Sequence, residues 1–107
     1  MSLDIELIQV RPSVIYSDNI THNLGNMAKE AGLYYPLWRP EEIGLTKAAE
    51  LLPFFDAGLL ALKNEPAKFI RCNPANGWGT YECFVKFVED YREACFQNPN
   101  AEIRVCR

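Results

Sequence analysis

The sequence predicts an α+β fold in which strands from the two ends of the chain form a small antiparallel sheet, covered on one face by three to four helices. Residues 3–7 and 101–106 alternate apolar and polar side chains with the period of a strand, and longer segments between them repeat apolar residues with the period of a helix. A chain of 107 residues has the size of one domain, spanning residues 1–107. Because chain termini often lie close together, we expect the terminal strands to be neighbours.

Composition and charge exclude several classes of protein. Hydrophobic residues make up 49% of the chain and charged residues 23%, which is typical of a folded core and not of a disordered tail. The formal net charge of -3 disfavours a protein that binds the phosphate backbone of nucleic acids. We expect a cytoplasmic protein without a membrane span, because there is no long apolar run and no signal-peptide pattern at the N-terminus.

In the first third of the chain, the predicted strand over residues 3–11 is followed by a second, short strand over 14–16. Residues 17–19 are Ser-Asp-Asn, which is typical of a turn. A helix is expected over residues 21–31, where apolar side chains recur with helical spacing. Gly32 is expected to end this helix in a left-handed conformation.

The middle of the chain begins with a connector over residues 33–40, and Pro40 is expected to start a short helical turn. Residues 46–64 have a helical pattern that contains Pro53. Proline removes one backbone hydrogen bond, so the helix is either kinked or broken before Pro53. Residues 66–71 are expected to form one more helical turn.

The last third contains a loop over residues 73–79, a helix over 80–98 and the closing strand over 101–106. The apolar face of this helix is expected to consist of Phe84, Val88, Tyr91 and Cys95.

The cysteines give no sign of a metal site. Zinc ligands usually come in closely spaced pairs, whereas the four cysteines stand far apart in the chain and the only histidine, His22, lies well upstream of them. We therefore expect free thiols, no metal and no cofactor. These cysteines are Cys72, Cys83, Cys95 and Cys106.

One candidate for chemistry is the polar segment from Asp18 to Asn23, which contains His22. The imidazole could act as a general base, with Asp18 or Asn23 orienting it. The alternative, which we favour, is structural: Asn19 and Thr21 cap the following helix, and His22 lies half-exposed on its first turn.

A second candidate is the loop that contains Asn76, Gly77, Trp78 and Gly79, followed by Tyr81. Backbone N–H groups at the start of the next helix could hold an anion, and the two aromatic rings could stack on a base or sugar. The favoured alternative is that Asn76 and Gly77 form a tight turn and that Trp78 fastens the loop onto the core.

A third candidate is the aromatic connector with Tyr35, Trp38 and Arg39, since Tyr, Trp and Arg are enriched at binding hot spots. If these side chains are exposed, they form a surface for a partner. If Trp38 is buried, the connector covers the core instead, and the sequence leaves both alternatives open.

Three stretches, residues 19–24, 73–82 and 98–105, resemble a family of small bacterial and phage-encoded (prophage) proteins. The Asn-Gly-Trp-Gly loop at residues 76–79 is the most distinctive part. The resemblance implies an intracellular setting and supplies no substrate, cofactor or catalytic residue.

These observations lead to three hypotheses. The first is a small, non-enzymatic binding protein that contacts a protein or a small anionic ligand through the segments around Trp38, Trp78 or both. The second is a small hydrolase-like enzyme that uses His22 as an acid/base on a nucleotide-like substrate. The third is a homodimer formed through an exposed sheet edge.

Overall fold

The computed structural model describes residues 2–9, 14–77 and 79–107 of the chain. These form three strands, β1 (Ser2–Ile8), β2 (Val14–Thr21) and β3 (Glu102–Cys106). The helices are α1 (Gly25–Glu30), α2 (Tyr34–Trp38), α3 (Ala48–Asn64), α4 (Pro66–Ile70) and α5 (Tyr81–Gln97), with 3-10 turns at His22–Leu24 and Pro40–Ile43.

The three strands form one antiparallel sheet with β1 in the centre and the order β2-β1-β3. Ile5 is opposite Asp18 on one side and Val105 on the other. Leu3, Ile5 and Leu7 of the central strand are fully buried, because the helices cover the face to which these side chains point. The predicted α+β fold, with the first and last strands as neighbours, is confirmed.

Strand β2 is longer than the sequence predicts. The expected turn at residues 17–19 is wrong, because β2 continues through these residues as far as Thr21. Pairing with β1 provides partners for the backbone hydrogen-bonding groups of residues 17–19, and this outweighs the local turn preference. The Asp18 carboxylate accepts hydrogen bonds from the Tyr16 hydroxyl at 3.3 Å and from the Asn19 backbone N–H at 2.8 Å.

Helix α3 is continuous across Pro53, which excludes a break, one of the two alternatives that the sequence left open. Pro53 is exposed, whereas Leu51 and Phe55 on either side of it are buried. Packing of these apolar side chains holds the helix together although one backbone hydrogen bond is missing. The predicted connector over residues 33–40 likewise contains the short helix α2, and Pro40 starts a 3-10 turn as expected.

The remaining helices follow the predicted pattern. Phe69 of α4 is buried, and Thr80 caps α5 because its hydroxyl accepts a hydrogen bond from the Cys83 N–H at 3.2 Å. Gly32 has the expected left-handed backbone, with φ 74°. The predicted face of α5 is confirmed, since all four members are fully buried: Phe84, Val88, Tyr91 and Cys95.

None of the helices in the described ranges combines the length and apolarity that crossing a membrane requires.

Val10 and Arg11, the end of the predicted first strand, lie outside the described residues.

Candidate functional site

A concave pocket of about 510 Å³ lies where α1, the end of α2 and the residue after β3 meet. We call it the basic pocket. Tyr34 and Trp38 contribute aromatic walls. Its polar lining consists of His22, Asn23, Asn26, Lys29, Arg39 and Arg107.

A buried indole supports one side of the basic pocket. The Nε1–H of Trp38 donates a hydrogen bond of 2.8 Å to Nδ1 of His22. The Tyr34 ring stacks on Trp38 with a centroid separation of 5.6 Å and an interplanar angle of 10°. Trp38 is only 3% exposed. For the connector over residues 33–40, the structure therefore corresponds to the alternative in which Trp38 is buried and covers the core. The same side chain also lines the basic pocket.

Arg39 is held at the pocket by two neighbours. Its Nε donates to the Tyr34 hydroxyl at 3.2 Å, and its Nη1 donates to the Glu42 carboxylate at 2.8 Å. These hydrogen bonds raise the pKa of Arg39 above its usual value, so the guanidinium stays charged. A guanidinium carries more N–H donors than these two contacts use, and the remaining donors are available to a bound molecule.

Arg107 comes to the same pocket from the other end of the chain. Its Nη1 donates to the Trp38 backbone carbonyl at 2.8 Å and to the Glu41 carboxylate. The hydrogen bond from Arg107 lowers the pKa of Glu41. As with Arg39, only part of the donor capacity of the guanidinium is used.

Lys29 supplies the third positive charge. Its Nζ lies 5.0 Å from the centroid of the Tyr34 ring, and no carboxylate in the described part of the chain pairs with it. Among the described residues, the ion pairs of the three cations Lys29, Arg39 and Arg107 involve two carboxylates, Glu41 and Glu42. Counted over these five side chains, there is one more positive than negative charge, whereas the formal net charge of the chain is -3.

The two residues considered for acid/base chemistry do not meet. Asp18 is occupied by Tyr16 and Asn19, and within the described ranges no carboxylate or thiol is hydrogen-bonded to His22. Because Nδ1 of His22 accepts from an indole, the neutral imidazole carries its proton on Nε2. An indole N–H cannot take up a proton from His22, so this pair lacks the carboxylate partner that orients a general base.

For the segment from Asp18 to Asn23, the structural alternative was that Asn19 and Thr21 cap the following helix, and this is confirmed for Thr21 only. The Thr21 hydroxyl accepts a hydrogen bond of 3.3 Å from the Asn23 backbone N–H and caps the 3-10 turn. Asn19, the other expected cap, belongs to β2.

The glycine loop lies beside the end of β2. Gly77 and Gly79 have positive φ values of 76° and 94°. A Cβ added to Gly79 would lie 2.7 Å from Cγ2 of Thr21, so the loop packs tightly there. Trp78 lies outside the described residues, and Asn76 is exposed. Among the described residues of this loop, none lines the basic pocket.

Tyr81, the last residue of the second candidate site, makes hydrogen bonds that stabilise the fold. Its hydroxyl donates to the Leu62 backbone carbonyl at 2.7 Å, and its backbone N–H donates to the Asn73 side chain at 2.8 Å. The ring is partly buried. The first contact joins the start of α5 to the end of α3, and the second joins it to the loop that precedes α5.

Asn26, Lys29 and Arg107 belong to the pocket although the sequence did not single them out. His22, Asn26 and Lys29 are spaced at i, i+4 and i+7, which places side chains on one face of a helix. That spacing could have indicated from the sequence that Asn26 and Lys29 lie near His22. Arg107 had no local signal, because it reaches the pocket only through the pairing of β3 with β1.

The cysteines are free, as expected: Cys72, Cys83, Cys95 and Cys106. In the parts of the chain that the structure describes, no three His, Cys, Asp or Glu side chains are grouped so that they could hold a metal ion.

A scan against models of protein families, a search of curated proteins and a search of solved structures each found no match to this chain.

Proposed function

We propose that this chain is a small, non-enzymatic binding protein that takes up a small anionic ligand in the basic pocket. The observation that supports the proposal is the convergence of three cationic side chains from three separate segments: Lys29 from α1, Arg39 after α2 and Arg107 after β3. The volume of about 510 Å³ lies within the range of ordinary small-molecule sites.

Two of the three cations, Arg39 and Arg107, are positioned before any ligand arrives. Tyr34 and Glu42 hold Arg39, while the Trp38 carbonyl and Glu41 hold Arg107. Ordering these long side chains in advance reduces the entropy lost on binding. Oxyanions such as phosphate, sulfate or a carboxylate match the remaining guanidinium donors, because a guanidinium can donate two parallel hydrogen bonds to a pair of oxygen atoms.

A binding role fits the environment of His22 better than catalysis does. The imidazole donates through Nε2 when neutral and accepts from Trp38 through Nδ1. Since it has no carboxylate or thiol partner in the described ranges, we assign it as a ligand-binding donor. We propose that the protein is of bacterial or phage origin and lies in the bacterial cytoplasm, as the sequence resemblance implies.

Titration of the full chain with inorganic phosphate at low ionic strength tests the proposal. Saturable binding is expected by calorimetry, with the largest NMR shifts at amides around Asn23 and Lys29. Lys29→Gln removes one unpaired charge from the pocket and should weaken phosphate binding roughly tenfold.

Lys86→Gln is the matched control, because it removes the same charge from α5, where Lys86 is paired with Asp90 outside the pocket. It should leave phosphate affinity unchanged. If phosphate does not bind saturably, or if the two variants weaken binding equally, the proposal is wrong.

A further inference from the structure

A second depression adjoins the basic pocket. It has a volume of about 620 Å³ and lies between α2, the 3-10 turn at Pro40–Ile43 and α3. We call it the aromatic pocket. Its apolar lining comes from Tyr34, Tyr35, Pro36, Ile43 and Phe54.

The aromatic pocket collects apolar side chains that the core does not cover. Tyr35 is 48% exposed, Ile43 42% and Phe54 39%. They come from three different elements, yet all three line this one depression. A contiguous exposed apolar surface of this kind typically marks a binding site, whereas single exposed apolar residues do not.

The two pockets share a wall. Lys29, Tyr34 and Arg39 line both of them. The Tyr34 ring stacks on Trp38 and meets the Tyr35 ring edge-on, with a centroid separation of 5.5 Å and an interplanar angle of 88°. The charged groups of Lys29 and Arg39 therefore adjoin both the basic pocket and the aromatic pocket.

We propose that the ligand of the basic pocket is an aromatic anion, whose charged group binds Lys29, Arg39 and Arg107 while its ring occupies the aromatic pocket across Tyr34. This inference rests on the proposed function and specifies the chemical class of the ligand. The exposed rings of Tyr35 and Phe54 suit a flat ring, since aromatic pairs favour stacked and edge-to-face contacts. The volume also suffices, because a cavity of about 150 Å³ already holds benzene.

Comparison of phenyl phosphate with methyl phosphate tests the inference on the full chain by calorimetry. Both carry the same charged group, so the ratio of their dissociation constants reports the contribution of the ring. Phenyl phosphate is expected to bind roughly tenfold more tightly, because its ring leaves water for an apolar surface.

The variants Phe54→Ser and Ile43→Ser should each lower that ratio towards one. Leu60→Ser is the matched control, because Leu60 is a 62% exposed apolar residue on the same helix as Phe54 and lines neither pocket. It should leave the ratio unchanged.

Equal affinity for the two phosphates, or a preference for phenyl phosphate that persists in both serine variants, would overturn this inference and leave the anion site intact. Absence of binding by both phosphates would instead overturn the proposed function itself.

Discussion

The indole N–H of Trp38 and Nδ1 of His22 form a hydrogen bond of 2.8 Å between residues 16 positions apart in the chain. This bond connects the 3-10 turn after β2 to the end of α2. Because Trp38 is buried, its N–H depends on this acceptor in place of water. The bond therefore holds two sides of the basic pocket together.

Replacing His22 by Ala should lower the free energy of unfolding by about 1–3 kcal/mol, because the Trp38 N–H loses its acceptor. Urea unfolding followed by Trp fluorescence measures this change. His22→Gln, whose side-chain carbonyl can accept the bond, should recover part of the loss. An alanine variant as stable as the parent chain would show that the bond contributes nothing.

Glu50 is expected to make the stability depend on acid pH. Its carboxylate accepts hydrogen bonds from the backbone N–H groups of Thr46 and Lys47, both at 2.8 Å, and these bonds lower its pKa below the usual 4.5. A lowered pKa in the folded state means that the contribution is present above the unfolded pKa and is lost as pH falls through the folded pKa.

Glu50→Gln should therefore be less stable than the parent at neutral pH, and its stability should fall less on acidification to about pH 3. Urea midpoints at the two pH values give the comparison. Glu30→Gln serves as the control, because Glu30 is exposed on α1 and should change the acid dependence little. Parallel pH profiles for Glu50→Gln and the parent would refute the prediction.

Thiol reactivity should separate the cysteines by burial. Cys95 is fully buried, and burial raises its pKa to about 12, so little thiolate forms at neutral pH. Cys83 and Cys106 are exposed. Alkylation followed by peptide mass spectrometry should modify these two first and Cys95 only on unfolding. Early modification of Cys95 in the folded protein would contradict the structure.

Gly58 is a site where a methyl group does not fit. A Cβ there would lie 2.6 Å from Cδ1 of Leu33, which is fully buried and has little room to move. Gly58→Ala should destabilise the fold, because overpacking costs about 1–3 kcal/mol and exceeds the gain in helix propensity of at most about 1 kcal/mol.

Gly25→Ala is the matched comparison, since nothing lies within 4 Å of a Cβ at Gly25 and its backbone is helical. It should stabilise the fold by up to about 1 kcal/mol. Thermal unfolding of both variants checks the opposite signs. A Gly58→Ala variant more stable than the parent would disprove the close packing against Leu33.

Patterns within a single element predicted much of the fold. The buried face of α5 followed from the helical spacing between Phe84 and Cys95, and the terminal strands followed from their alternation. Their pairing was expected because chain termini often lie close together. Such patterns can be recognised because an element with one buried face has apolar residues at regular intervals in its sequence. Where local preference and tertiary contact disagreed, as at residues 17–19, the pairing with β1 decided the structure.

For the candidate site too, some features could be predicted from the local sequence and others depended on tertiary contacts. The sequence by itself indicated His22 as a candidate acid/base and Trp38 and Arg39 as candidate binding residues, because the chemistry of these side chains does not depend on the fold. Only the tertiary structure decided that Trp38 is buried against His22 and that Arg107 joins Arg39 at one pocket. Residues 39 and 107 meet because β3 pairs with β1 at the opposite end of the chain, and a contact of that range leaves no periodic trace in either segment.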